Sequence, residues 1–207
     1  MKIKVCGMKY PDNIQAVLNL NIDWMGFIFY PPSPRYFNGD LSGIDFKQTQ
    51  KTGVFVDEDV DVLLQKARYY QLDYIQLHGN ESLHYAQRVK DNGYKLIKVF
   101  KIHPNFDFSF CYAYTDVADL FLFDTKGKLP GGNAQVFDWQ ILNRYQTGKD
   151  FLLSGGISPT LSREVQKFSH KNYIGIDVNS GFEEKPGWKN VEKLQKFIQT
   201  VQTRNQK

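Results

Sequence analysis

Near the N-terminus stands the short apolar run Ile3-Lys4-Val5-Cys6-Gly7, which ends in one ionisable side chain and a glycine. A second run, Leu120-Phe121-Leu122-Phe123-Asp124-Thr125, also ends in a lone ionisable side chain at a turn. Both runs have the length of a buried β-strand. If both are strands of one parallel barrel, Cys6 and Asp124 lie at the same rim. There, one side chain could take a proton from a bound molecule while the other gives one.

Eight short apolar runs, these two included, alternate with polar segments along the 207-residue chain. A repeat of about 26 residues (207 residues over eight runs) suits one strand, one helix and two turns. Strands that alternate with helices form a parallel sheet, and eight such units close into a barrel. We therefore predict an α/β protein, a single (β/α)8 TIM barrel that occupies residues 1–207 as one domain. The predicted strands cover residues 2–6, 23–29, 52–56, 73–77, 95–100, 118–123, 150–154 and 173–178.

Apolar residues at helical spacing predict helices between the strands, most clearly over 58–70 and 189–202. Pro11 stands where the first helix should begin. Ser158-Pro159 has the form of an N-cap followed by a first-turn proline. Asp138 is placed to cap the helix that follows it.

Two connections fit the repeat poorly. Residues 30–50 contain three prolines and two glycines, so the second helix is predicted to be short or late. Residues 104–116 are rich in aromatic side chains and contain few good helix formers, and a helix is predicted there from its place in the repeat.

The composition is that of an ordinary globular protein, with 42% apolar and 23% charged residues. No apolar run approaches the ~20 residues of a membrane helix, and the N-terminus lacks the apolar stretch of a signal peptide. We therefore expect a cytoplasmic protein with no membrane partner. The two cysteines, Cys6 and Cys111, are expected to be reduced. Cys111 stands among aromatic residues and is interpreted as a small buried apolar residue.

The net charge of +4 is compatible with an anionic ligand but does not require one. The basic residues are scattered, with one tight loop cluster at Lys126-Gly127-Lys128, so no nucleic-acid partner is expected. No metal is expected either, because the four histidines lie far apart without zinc-ligand spacing. These histidines are His78, His84, His103 and His170.

Glycine-rich turns follow the seventh and eighth predicted strands, at Ser154-Gly155-Gly156 and Asp177-Val178-Asn179-Ser180-Gly181. In a barrel of this kind, the backbone N–H groups of these two loops and a short helix start form a phosphate site. The alternative is that the glycines only make tight turns. The predicted substrate contacts here are Gly155, Gly156, Asp177, Asn179, Ser180 and Gly181.

Arg35 follows a loop stiffened by proline, Tyr30-Pro31-Pro32-Ser33-Pro34, after the second strand. A guanidinium group binds a carboxylate through two parallel hydrogen bonds, so Arg35 is predicted to bind substrate. A plain surface arginine and a Pro-x-x-Pro recognition segment are the alternatives.

Asp124 shares one strand face with Leu120 and Leu122, toward the barrel interior. Partial desolvation there favours the protonated carboxyl group, which suits a general acid. A capping aspartate, or one paired with Lys126, is the alternative.

Lys4 shares a face with Cys6 by the same two-residue period. A nearby cation favours the thiolate that a thiol base requires, so Cys6 is predicted to be a partial thiolate near neutral pH. The alternative for Lys4 is a structural ion pair inside the barrel. Gln76 and His78 end the fourth strand at the same rim and are possible site residues, although a histidine that stabilises a turn is an equal interpretation of His78.

The segments at these strand ends resemble those of the phosphoribosylanthranilate isomerase family, the barrel enzymes of tryptophan biosynthesis. The pairing of the cysteine–glycine start with the tyrosine–proline–proline–serine–proline–arginine loop is specific to that family. The matching segments run in the family's order from residue 4 to 187. They are Lys4-Val5-Cys6-Gly7-Met8-Lys9, Gly26 to Arg35, Gly53 to Asp57, Ile75 to Gly79, Phe123-Asp124-Thr125, Phe137-Asp138-Trp139, Leu153 to Ile157, Gly175 to Glu183 and Pro186-Gly187.

Three positions depart from the family pattern. Asn133-Ala134-Gln135 follow Gly131-Gly132, where the family continues with a small residue and another glycine. Asn179-Ser180 stand where two serines are usual, and Phe182 replaces a smaller aliphatic residue. These changes affect loop conformation and binding strength but leave the residues at the family's catalytic positions in place.

The resemblance implies an Amadori rearrangement of N-(5-phosphoribosyl)anthranilate without a cofactor. It implies Asp124 as general acid, Cys6 as general base and Arg35 as the ligand of the anthranilate carboxylate. The expected partner is this small phosphoribosyl substrate, and a monomer is favoured. Two alternatives are a related aminoaldose isomerase of the histidine-pathway type, which uses two aspartates, and a binding barrel without catalysis.

Overall fold

The computed structural model describes residues 1–125 and 139–203. Eight parallel strands form a closed barrel in sequence order, and β8 pairs with β1 through Lys4 and Asp177. The predicted barrel is confirmed, and each of the eight predicted strands lies within two residues of the observed bounds. The strands are β1 Lys2–Val5, β2 Trp24–Ile28, β3 Gln50–Phe55, β4 Tyr74–Leu77, β5 Lys95–Lys101, β6 Leu120–Asp124, β7 Phe151–Ser154 and β8 Tyr173–Val178. A short antiparallel pair follows, β9 Glu183–Lys185 and β10 Trp188–Lys189.

The two faces of each strand separate two apolar layers. Leu120 and Leu122 of β6 lie in the small cluster inside the barrel, and Asp124 follows on the same face. Phe121 and Phe123 point the other way, into the larger cluster between the barrel and its surrounding layer. The predicted inward face of β6 is therefore confirmed. This alternation is what brings the side chain at the end of each strand into the rim.

Most of the predicted helices are present. The α-helices among the described residues are α1 Pro11–Leu18, α2 Val60–Tyr69, α3 Leu83–Asp91, α4 Ser109–Tyr112, α5 Ser162–Lys167 and α6 Val191–Gln202. Pro11 is the first residue of α1, as predicted. Within residues 1–125 and 139–203, no helix is both long enough and apolar enough to cross a membrane.

Three connections differ from the sequence prediction. Residues 30–50 contain no helix. The prolines lack the backbone N–H groups that a helix needs, and aromatic packing fills the space. The ring centroids of Phe37 and Phe27, for example, lie 4.9 Å apart. The segment 104–116 forms only the single turn α4. Ser158 and Pro159 occupy the predicted N-cap and first-turn positions, but of a 3₁₀ turn that precedes α5. The Ser158 hydroxyl bonds Thr160 Oγ1 at 2.8 Å and caps no backbone N–H.

The Asp138 cap lies outside the described residues, and the segment after it, Trp139–Arg144, is a 3₁₀ helix. Another 3₁₀ turn, Ser180–Phe182, follows β8. The loop that contains Gly131-Gly132-Asn133-Ala134 also lies outside the described residues.

Candidate active site

A cavity opens at the carboxyl ends of the barrel strands, and most of the predicted site residues line it. Two predicted residues do not line it: Lys4, which lies beneath the floor, and Gly181. The lining residues are Cys6, Ile28, Arg35, Val54, Gln76, His78, Asp124, Ser154, Gly155, Gly156, Ile157, Asp177, Asn179 and Ser180. The barrel thus brings Cys6 and Asp124, 118 positions apart in sequence, to one pocket.

Cys6 follows β1, and its backbone N–H donates to the Val178 carbonyl at 2.9 Å. Lys4 is fully buried below it and donates to Asp177 Oδ1 at 2.9 Å. Burial raises the pKa of Cys6 above its ordinary value, while the Lys4 and Lys189 charges oppose that rise. This burial opposes the predicted partial thiolate near neutral pH, which stays a prediction. The cation is present as predicted, but desolvation outweighs it and Asp177 shares it.

Gly26 of β2 explains how Lys4 and Cys6 fit inside the barrel together. A Cβ atom at Gly26 would lie 2.8 Å from Cys6 Sγ and 3.2 Å from Lys4 Nζ. The missing side chain leaves room for the thiol and the ammonium group on the same face. A glycine in a strand interior marks a close approach of this kind.

Asp124 ends β6 and faces two polar side chains of β4 and its loop. His78 Nε2 lies 3.5 Å from Asp124 Oδ2, and His78 Nδ1 lies 3.0 Å from Gln76 Nε2. The ring therefore turns Nε2 toward Asp124 and Nδ1 toward the Gln76 amide. Asp124 Oδ1 is buried and has no hydrogen-bond partner in the described part of the chain.

The two loops after β7 and β8 form the part of the cavity rim between Asp124 and Cys6, because β7 and β8 lie between β6 and β1 in the barrel. Gly155 and Gly156 have φ values of +97° and +69°, which L side chains rarely adopt. Across residues 1–125 and 139–203, no hydrogen bond uses their N–H groups. Gly181 has a packing position instead, because a Cβ atom there would lie 2.3 Å from the Ile157 carbonyl oxygen. It allows the loop after β8 to lie against the loop after β7.

Asp177 faces the floor as well as the cavity. Its Oδ1 accepts from Lys4, and its Oδ2 accepts from Ser154 Oγ at 3.4 Å. The structural ion pair that sequence analysis left open for Lys4 is thus present, and Asp177 is its partner.

Arg35 reaches the cavity with one edge of its guanidinium group already occupied. Its Nε lies 2.9 Å from Glu183 Oε1, and its Nη2 lies 2.5 Å from Glu183 Oε2. This pairing raises the pKa of Arg35, and the same contacts help to lower that of Glu183 against the effect of burial. The edge formed by Nη1 and Nη2 is left to face a ligand. Arg35 is therefore neither a plain surface residue nor an unpaired cation.

Lys189 is a site residue that the sequence analysis missed, since it assigned residue 189 to the start of the last helix. Lys189 is fully buried in β10, and its Nζ donates to Glu183 Oε1 and to Asn179 Oδ1, each at 2.7 Å. Burial lowers the pKa of Lys189, and Glu183 opposes this. No local pattern marked it, although Pro186-Gly187 just before it indicated a turn near the site.

No cluster of three or more His, Cys, Asp or Glu side chains in the described residues is arranged to hold a metal ion.

Comparison with known proteins identifies the family of this site. A family model described as N-(5'phosphoribosyl)anthranilate (PRA) isomerase matches residues 3–200. A relative from Parabacteroides distasonis, N-(5'-phosphoribosyl)anthranilate isomerase, is 44% identical over 206 residues, which cover 97% of this chain and 93% of the relative. The chain belongs to this family. The enzyme of that name from Phocaeicola vulgatus is 40% identical, with both chains fully covered.

Membership of the N-(5'-phosphoribosyl)anthranilate isomerase family makes the chain an isomerase of the aldose–ketose type, in tryptophan biosynthesis. Solved structures of the family share its fold. A phosphoribosyl anthranilate isomerase in complex with reduced 1-(o-carboxyphenylamino)-1-deoxyribulose 5-phosphate is 26% identical, with a TM-score of 0.80 and coverage of 97% and 98%. The enzyme from Thermus thermophilus is 28% identical, with a TM-score of 0.78 and the same coverage.

Proposed function

We propose that this isomerase catalyses the Amadori rearrangement of N-(5-phosphoribosyl)anthranilate, with Asp124 as general acid and Cys6 as general base. The product is 1-(o-carboxyphenylamino)-1-deoxyribulose 5-phosphate. One observation carries the proposal: Cys6 and Asp124 line one cavity, and the loops after β7 and β8 line it between them. A sugar phosphate held by those loops would present its ring to both groups.

The first step needs a proton on the ring oxygen of the ribose. Asp124 gives that proton, the bond from C1 to the ring oxygen breaks, and the nitrogen lone pair forms a C1=N iminium group. Asp124 Oδ1 is the oxygen that supports this role, because it is buried and unpartnered among the described residues. His78 Nε2 lies 3.5 Å from Oδ2, beside the carboxylate that remains. A positioned acid of this kind contributes ~10²–10⁴ in rate.

The second step removes the C2 hydrogen, which the iminium group has made acidic. Cys6 takes this proton as thiolate, the C2–H electrons form the C1=C2 bond, and the C1=N π electrons return to the nitrogen, which gives an enolamine. Protonation of C1 and loss of the C2 hydroxyl proton complete the ketone. Since burial raises the pKa of Cys6, the thiolate is the minor form at neutral pH. The reacting species is the thiolate that the Lys4 ammonium group stabilises. These reaction steps move only protons and bond electrons, so no cofactor enters the proposal.

The two ends of the substrate have separate anchors. The N–H groups of Gly155 and Gly156, with the turn at Asn179 and Ser180, would hold the phosphate. The open edge of Arg35 would hold the anthranilate carboxylate through charge-assisted hydrogen bonds. Asp177 acts from below, as the partner of Lys4, and Gly181 allows the two loops to meet.

The proposal takes the enzyme as a cytoplasmic monomer whose partner is the small phosphoribosyl substrate. The support is that one chain supplies every residue named in the mechanism. A structure from Thermotoga maritima, 25% identical with a TM-score of 0.77, is of monomers generated from a dimeric family member. Light scattering of the purified protein would decide the assembly state of this chain, and a stable dimer would contradict this part of the proposal.

The roles are tested by Cys6→Ser and Asp124→Asn, which keep size and shape while they remove one proton-transfer group. Each should lower kcat by about a hundredfold or more, with little change in the melting temperature. Both variants should fail to rescue growth of a strain that lacks this isomerase, whereas the unaltered chain should succeed. Near-normal turnover by either variant would remove that residue from the mechanism. Turnover of a histidine-pathway aminoaldose instead would favour the related aminoaldose isomerase. Tight binding without turnover would favour a binding barrel without catalysis.

A further inference from the structure

A buried ammonium group lies between the two proposed substrate anchors. Lys189 is fully shielded from solvent, and its Nζ contacts the Glu183 carboxylate and the Asn179 side chain, each at 2.7 Å. Burying a lysine is costly unless its charge is paired and its hydrogens are used. Its position at this junction therefore calls for a reason beyond core packing.

On one side, Lys189 fixes the carboxylate that holds Arg35. Glu183 accepts from Lys189 and from the Gly187 N–H through Oε1, and it accepts from Arg35 through both oxygens. With its carboxylate held in this way, Glu183 fixes the plane of the guanidinium group. The direction of the remaining Arg35 edge follows from that plane.

On the other side, Lys189 holds the side chain that begins the turn after β8. Asn179 Oδ1 accepts from Lys189, and Asn179 lines the cavity beside Ser180. Gly7 lets these groups come close, because a Cβ atom there would lie 2.7 Å from Asn179 Oδ1 and 2.8 Å from Arg35 Cδ. Gly7 follows Cys6, so this contact also borders the proposed base.

The backbone of Lys189 is itself anchored. Asn13 of α1 donates to the Lys189 carbonyl at 2.8 Å and accepts from the Lys189 N–H at 2.7 Å, and both contacts are buried. The ammonium group is thus held at its root as well as at its tip. These two bonds fix the backbone position from which the side chain reaches Glu183 and Asn179.

We propose that Lys189 is a positioning residue that ties the carboxylate-binding and phosphate-binding ends of the active site together, through Glu183 to Arg35 and through Asn179 to the loop after β8. The inference rests on the proposed function, because it uses the anchors assigned there. It predicts that one substitution at a position that does not line the cavity weakens the binding of both ends of the substrate.

The test uses Lys189→Met, which keeps the length of the side chain and removes its charge. Two probes report on the two ends: anthranilate on the Arg35 end, and inorganic phosphate on the loops. The inhibition constant of each should rise about tenfold in Lys189→Met, since one charged hydrogen-bond donor is lost beside each anchor. KM should rise, and kcat should fall as well, because the Lys189 charge also opposes the rise in the pKa of Cys6. The two inhibition constants do not depend on proton transfer, so they carry the test. A higher inhibition constant for only one probe, or for neither, would overturn the proposal.

Two controls separate this outcome from other failures. Lys98→Met removes another buried lysine, paired with Glu81 at 2.8 Å, and should leave both inhibition constants within about twofold. An equal loss of both probes in Lys98→Met would show general loosening and overturn the proposal. Arg35→Ala should weaken the binding of anthranilate and leave the binding of inorganic phosphate unchanged. If it does not, the carboxylate anchor of the proposed function fails, whatever Lys189→Met does.

A second variant keeps the test decisive if Lys189→Met does not fold. Asn13→Ala removes the two hydrogen bonds that place Lys189 and changes no charge in the site. It should raise both inhibition constants by about threefold, a smaller effect because the ammonium group is still present. Unchanged constants for both probes in folded Asn13→Ala would overturn the proposal.

Discussion

Gly155→Ala should damage both the stability and the catalysis of this enzyme. Gly155 has φ +97°, so an alanine there carries a backbone cost of about 1–2 kcal/mol. Its Cβ would also lie 2.6 Å from Thr125 N and 2.7 Å from Asp124 Oδ1. The Thr125 backbone cannot easily retreat, because its N–H and its hydroxyl both bond the Ser154 carbonyl, at 3.0 and 2.8 Å. Overpacking of this kind adds about 1–3 kcal/mol.

Gly93→Ala is the matched control for the backbone cost alone. Gly93 has φ +86°, and nothing lies within 4 Å of the Cβ that alanine would add. In chemical denaturation, the free energy of unfolding should fall by about 1–2 kcal/mol in Gly93→Ala and by about 2–5 kcal/mol in Gly155→Ala. The difference measures the contact with Asp124 and Thr125.

The catalytic readout of Gly155→Ala separates the two neighbours of the new methyl group. If the Asp124 carboxyl group moves, kcat should fall by about a hundredfold, within the range of a displaced general acid. Equal stability losses in Gly155→Ala and Gly93→Ala would show that the loop yields without strain. A normal kcat in Gly155→Ala would show that the acid does not depend on this wall of the cavity.

Three further outcomes are expected. Alkylation of Cys6 by iodoacetamide should reach half its maximal rate above pH ~8.5, and Lys4→Met should shift that midpoint to higher pH. Cys111, whose pKa burial raises to about 12, should not react. A midpoint near neutral pH would instead support a partial thiolate at Cys6. The lowered pKa of Glu183 means that its contribution to stability is present above its unfolded pKa and is lost as pH falls through the folded value. Urea denaturation between about pH 3 and pH 5 should therefore show a flatter pH dependence for Glu183→Gln, and an unchanged slope would argue against that pairing. Gly26→Ala should fold but lose about tenfold in kcat, as its methyl group displaces the thiol from the ammonium group, and full activity would show that their close approach is not needed.

The residues at strand ends were predictable because a parallel barrel sends them all to one rim. Cys6, Asp124 and His78 needed only the strand boundaries and the two-residue period to be placed. Their roles stay predictions, but their common cavity is observed. The ionisation of Cys6 was not predictable in the same way. A neighbouring cation can be read from the sequence, whereas the depth of burial that opposes it cannot.

The segments that connect the strands were harder to predict than the strands themselves, for a related reason. The segment 30–50 was expected to contain a short or late helix, yet its aromatic residues pack directly against β2, as Phe37 and Phe46 do against Phe27. Packing with a distant strand overrides local propensity in such a segment.

Alternation along a strand and strand–helix repetition are local patterns, so they were enough to predict the barrel, its rim and the two candidate proton-transfer groups. Which charged groups pair with each other depends instead on how the chain folds back on itself. Lys4 with Asp177, and Lys189 with Glu183 and Asn179, are pairings set by chain closure and by the β9–β10 hairpin. Coulomb interactions depend on separation in space and on the surrounding solvent, and neither is written in the spacing of residues along the chain.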